Sequence, residues 1–78
     1  MLEITIDFLK SYKDFPANEN MIKTCKIIKE LEYKFSHRFN DDYDKLYLNY
    51  ITKKDFKLLL DKMDENNVKY HNIMVVQK

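Results

Sequence analysis

Glycine and tryptophan are missing from all 78 residues, and proline and cysteine occur once each, as Pro16 and Cys25. Without glycine there is no phosphate-cradling loop, dinucleotide fingerprint, nucleophile elbow or calcium-loop glycine, since each needs a residue without Cβ. Left-handed backbone then falls to Asn and Asp, so such turns are expected at Asn18, Asn40-Asp41 and Asn66-Asn67. A lone cysteine excludes an intramolecular disulfide and fits a reducing, cytoplasmic compartment. No apolar run approaches about 18 residues and no basic start leads into an apolar stretch, so neither a membrane span nor a standard export signal is expected. Net charge is lacking too. Fourteen basic residues against 13 acidic leave +1, which argues against a dedicated nucleic-acid binder and against an acidic mimic of DNA.

What is present describes a globular chain. Hydrophobic residues make up 45% and five Phe with six Tyr supply large buried areas, which a short chain needs. Residues 1–78 are therefore expected to fold as a single domain, with a margin small enough for dimerisation to help. The bias toward Lys, Asn, Ile and Tyr suggests an AT-rich genome such as that of a low-GC bacterium, a phage or a virus, and a phage or mobile-element origin is the expectation carried forward.

Leu2, Ile4, Ile6 and Phe8 alternate with Glu3, Thr5 and Asp7, the period of a half-buried strand. A polar loop from Lys10 to Glu19 contains Pro16 and offers Asn18 or Asn20 as a helix cap. From Asn20 to Phe39 the spacing predicts one helix, with Met21, Cys25, Ile28, Leu31, Phe35 and Phe39 on its apolar stripe. Its opposite side carries Lys23, Lys26, Glu30, Lys34 and His37, while Glu32 projects into the stripe. After a turn at Asn40–Asp44, residues 45–51 read as a strand with Leu46, Leu48 and Tyr50 inward, and Lys45, Tyr47 and Asn49 outward. Thr52-x-x-Asp55 is a capping-box variant opening a helix with Phe56, Leu59, Leu60 and Met63 inward and Leu58 outward. Asn66-Asn67 ends it, and Val68–Val76 is β-prone in a phase that a bulge or burial on both faces would reconcile. The expected fold is α/β or α+β: a small two-layer sandwich of β-α-β-α-β order, its three-stranded sheet carrying both helices on one face. A parallel sheet and a mixed one both fit.

No residue set has the spacing of a catalytic, cofactor or metal site. One cysteine, two distant histidines and the Asp41, Asp42, Asp44 cluster match neither zinc nor calcium patterns. Cys25, mid-stripe, reads as a small core hydrophobe. His37 and His71 could act as acid and base in metal-independent ribonucleolysis, against the simpler reading of two surface histidines. Lys23, Lys26, Lys34 and His37 could contact phosphates, with Tyr47 and Tyr70 stacking bases, but Glu3 and Asp7 on the outer strand face oppose a phosphate backbone. Glu32 is read either as a carboxylate reaching the sheet edge where the helix rolls, or as an inward group pairing in the core or facing a partner. Outward Tyr47, Leu58 and Ile51, with the strand edges, are what a protein interface or homodimer would use.

The opening strand Leu2-Glu-Ile-Thr-Ile6, the long helix ending near Arg38-Phe39-Asn40-Asp41, the strand Lys45-Leu-Tyr-Leu-Asn-Tyr50 and the helix beginning Thr52-Lys-Lys-Asp55 resemble, in element order, the DinI-type modulators of the RecA filament. The resemblance spans about two thirds of the chain. It departs in an added C-terminal strand and in a second helix that mixes Lys with Asp, where the family's DNA-mimicking contact needs an acidic face. It implies a small fold that binds a larger protein. Compact size, the absence of a catalytic signature and the outward hydrophobics make the expected function a non-enzymatic interaction protein that modulates a protein partner without cofactor, metal or membrane. The alternatives are a nucleic-acid-binding module and a ribonuclease-like toxin.

Overall fold

The computed structural model describes residues 1–10 and 18–78, so most of the predicted loop around Pro16 lies outside the described residues. Strand β1 (Leu2–Phe8) follows the alternation, with Leu2, Ile4, Ile6 and Phe8 buried. Helix α1 (Glu19–Glu30) starts where Asn18, in extended backbone, accepts a hydrogen bond from the Asn20 N–H through its side chain.

α1 stops nine residues before the predicted end. Leu31 is its C-cap, the Glu32 N–H donates to the Lys29 carbonyl and the Tyr33 N–H to that of Ile28. These are the two bonds of a Schellman motif. The position usually given to glycine is held by Glu32, at φ 61°, followed by Tyr33 at φ 54°. Glu32 therefore does not enter an apolar stripe; it is exposed in the turn that ends the helix. The buried face is also rotated from the predicted one. Thr24 points inward, its hydroxyl donating to the Asn20 carbonyl at 2.8 Å, and Cys25 is exposed. Because a left-handed non-glycine residue costs about 1–2 kcal/mol, Glu32→Gly should stabilise the fold by about 1 kcal/mol after the added unfolded-state entropy. Urea unfolding checks this.

The rest of the predicted helix is a strand, β2 (Ser36–Asn40), paired in a hairpin with β3 (Lys45–Ile51). The Asn40 side chain accepts from the Asp42 N–H in the turn, and the left-handed residue there is Asp44, not Asn40 or Asp41. Asn18 is not left-handed either; of the expected sites only Asn67 is.

β3 departs from plain alternation. Against β1, Ile4 pairs with Leu48 but Leu2 with Ile51, which leaves one extra residue in β3. Tyr50 sits in that bulge at φ 57°, turned out to 72% exposure, and Ile51 takes the core position. Both inversions contradict the expected inward Tyr50 and outward Ile51.

Helix α2 (Lys53–Glu65) begins as the sequence indicates, with Thr52 accepting from the Asp55 N–H at 3.1 Å. It ends at Asn66-Asn67 in a second Schellman motif, closed by the Asn67 N–H to Asp64 and the Val68 N–H to Met63. Met63 and Val68 both lie in the core, supplying the apolar pair that accompanies the motif. Strand β4 (Tyr70–Gln77) follows and is exposed along nearly its whole length, with a bulge at His71 where the register to β1 shifts.

The order is thus β-α-β-β-α-β, with an antiparallel four-stranded sheet arranged β2-β3-β1-β4. The expected three-stranded β-α-β-α-β sheet is overturned, and the fold is α+β: a hairpin replaces the helix tail, and β4 adds to the free side of β1. This is the split β-α-β arrangement of ferredoxin-like folds, a scaffold used for many unrelated functions. Ile4, Ile6, Leu46 and Leu48 line one sheet face and form a single core with Ile27, Ile28, Leu59 and Met63 of the helices. No described helix is long and apolar enough to cross a membrane.

Candidate functional site

The second sheet face has no described element packed over it. Strand pairing sets its side chains in rows. The middle row runs Arg38, Tyr47, Thr5 and Met74 across all four strands, about 14 Å from β2 to β4. The Arg38 guanidinium lies 4.7 Å from the centre of the Tyr47 ring. One flanking row carries Asn40, Lys45, Asp7 and Asn72; on the other side Glu3 pairs across from Val76.

The carboxylates of this face are matched. Lys45 Nζ is 2.9 Å from Asp7 Oδ1, off the ideal hydrogen-bond direction, and it is that buried oxygen's one close partner among the described residues. Lys78 Nζ is 2.9 Å from Glu3 Oε2. Hydrogen-bonding contact with Asp7, and then its negative charge, raise the Lys45 pKa above its ordinary 10.5. A raised pKa makes the ammonium's contribution complete below pH 10.5 and lost as pH rises through the folded value. Lys45→Met should therefore melt below wild type by a constant margin at neutral pH, and the margin should close above about pH 10.5. Melting curves over that range check it.

The sequence-derived candidates are scattered. Tyr47 lies on the open face as expected, whereas Leu58 is exposed on the outer side of α2. The proposed basic stripe dissolves with the helix. Lys23 and Lys26 remain on α1, Lys23 lying 3.6 Å from Glu19, while Lys34 falls in the link to β2. His37 is on β2, stacked on Tyr33 at 5.6 Å with Phe39 edge-on at 6.0 Å. Glu32 is in the turn that ends α1.

The two histidines do not meet. His71 borders an open cleft of about 710 Å³ with Asp7, Asp44, Lys10 and Lys45, on edge strand β4. His37 is on the opposite edge strand, three strand spacings away, so the juxtaposition needed for acid–base ribonucleolysis is not formed. Among the described residues no group of His, Cys, Asp and Glu is clustered to hold a metal.

Sequence pattern alone does not place Arg38, Met74 and Val76 on the open face. Ser36, Arg38 and Asn40 alternate with His37 and Phe39, and that period of two was the available signal for Arg38. Met74 and Val76 belong to the β-prone tail whose phase the sequence leaves open between them and Ile73 with Val75.

No family model matches this chain, and no curated protein or solved structure matches it either. The likeness to DinI-type modulators rests on short residue runs and element order, and the run Arg38-Phe39-Asn40 on which it placed a helix end lies in β2.

Proposed function

We propose that this chain is a small non-enzymatic interaction protein that binds and regulates a larger protein through the open face of its sheet. One observation carries the reading: the face is built as an interface is, with a middle row of Arg38, Tyr47 and Met74 flanked by paired charges. Arg and Tyr dominate binding energy at protein interfaces, Met adapts to irregular partners, and charged pairs belong at the rim, where desolvation is mild. A reducing, cytoplasmic setting suits the exposed, lone Cys25, and a phage or other mobile-element origin suits the composition.

Affinity purification from the source cells tests this, with wild type, Tyr47→Ala, Arg38→Ala and Leu58→Ala in parallel. One protein should be retained in stoichiometric amount by wild type and Leu58→Ala and lost with Tyr47→Ala. Loss with Leu58→Ala instead would move the site to α2, and no retained protein at all would remove the reading.

Nucleic-acid binding is the second reading, favoured by Arg38, Lys45 and Tyr47 sharing one face with Asp7 and Glu3 neutralised. Against it, Arg38 already covers one side of the Tyr47 ring, where a base would stack. Flat oligonucleotide titrations at low salt would dispose of it; salt-sensitive binding lost in Arg38→Ala would put it first.

A further inference from the structure

We infer that β4 is a homodimerisation edge, pairing antiparallel with β4 of a second copy to join two four-stranded sheets into one of eight strands. This goes beyond the open-face reading and does not depend on what that face binds. Four observations support it.

The first is charge. Charged residues make up 35% of the chain, yet Tyr70–Gln77 contains no Asp, Glu, Lys or Arg, the longest such run in the sequence. The next longest, Leu46–Thr52, covers most of β3, which lies between two strands. β4 has the composition of an interior strand in an edge position. Edge strands are normally protected by charge, proline, a bulge or shortness; β4 is eight residues long with neither charge nor proline, and its bulge at His71 lies before Ile73–Gln77. The opposite edge, β2, is five residues long and carries Arg38.

The second is exposure. Met74, Val75 and Val76 are 54%, 50% and 50% exposed, and with Tyr70 they make up four of the ten exposed large hydrophobics among the described residues. They lie on both faces of the strand: Met74 and Val76 on the open side, Val75 beside Ile4 on the helix side.

The third is the direction of the backbone. The Lys78 N–H donates to the Met1 carbonyl, and antiparallel bonding then alternates along the register. Val76, Met74 and Asn72 turn their backbone groups toward β1; Ile73, Val75 and Gln77 turn theirs outward, where no described strand receives them. A two-fold axis at Met74 pairs Ile73 of one copy with Val75 of the other, both with outward groups, and sets Met74 against Met74. Every pair from Ile73 to Val75 is then apolar, and no like charges meet.

The fourth is area. A standard interface takes about 800 Å² from each partner, about a seventh of this chain's 5581 Å². One strand about 27 Å long reaches only the lower end of that class, so the dimer should be a weak, concentration-dependent one. It would also relieve the small core margin of a chain this short.

Sedimentation equilibrium from about 1 µM to 1 mM, with circular dichroism as a fold control, is the test. Wild type should pass from monomer to a closed dimer. Met74→Lys sets two ammonium groups against each other at the axis, and Val75→Pro removes an outward N–H while sparing the β1 ladder; each should weaken dimerisation at least tenfold. Met74→Lys decides the matter if the proline variant fails to fold. A wild type that stays monomeric, a dimer unmoved by either substitution, or species that keep growing through open β2–β4 pairing would each overturn the proposal.

Discussion

Ile51→Ala will destabilise the fold by about 3 kcal/mol, whereas Tyr50→Ala, one residue earlier, will leave stability nearly unchanged. Ile51 is fully buried at the end of β3, against Leu2, and truncating it leaves a cavity that a packed core closes only in part. Tyr50 is mostly exposed and sits in the bulge at positive φ. Tyr50→Gly should go further and stabilise, by about 1 kcal/mol, because it removes the Cβ that the left-handed backbone disfavours. Simple alternation from Leu46 predicts the reverse pattern. Urea unfolding of the three variants decides between them: a costly Tyr50→Ala with a mild Ile51→Ala would mean that β3 runs straight.

That pair of residues marks where local pattern stopped carrying information. β1, the first part of β3 and α2 with both its ends were readable, because there the period is unambiguous and the caps, Thr52 and Asn66-Asn67, are of the expected chemistry. α1 was overextended for a specific reason. Phe35 and Phe39 are four apart, a spacing common to a helix and to a strand, and no glycine marked the stop. The end that forms is imposed by tertiary structure: β2 must be free to pair with β3, and Glu32 and Tyr33 accept left-handed backbone to release it. The candidate site suffered accordingly. Tyr47 and Leu58 could be placed from their own elements, but the basic stripe existed only on a helix that ends at Glu30. Arg38 joins Tyr47 only through the hairpin, and Met74 is exposed only because β4 became an edge, which is a matter of strand order and not of residue type.

Asn20→Ala should cost about 3 kcal/mol, more than an exposed helix-end substitution and comparable to a core truncation. Asn20 is 8% exposed, and its side chain joins two segments far apart in sequence. Nδ2 donates to the Leu9 carbonyl just after β1, at 2.9 Å, and Oδ1 accepts from the Lys69 N–H just before β4, also at 2.9 Å. The two bonds are not equivalent. Leu9 also accepts from Asn18 Nδ2, at 3.1 Å, so its carbonyl keeps a partner when Asn20 is truncated. The Lys69 N–H is the group left partly buried and unpaired, and that desolvation penalty dominates the cost. Asn20→Asp keeps the acceptor for Lys69 while losing the donor to Leu9, so it should cost only about 1 kcal/mol. Hydrogen exchange adds a local readout: the Lys69 amide should lose protection in Asn20→Ala and retain it in Asn20→Asp. Equal costs for the two variants would show that the link to Lys69 is not what holds the start of β4 to α1.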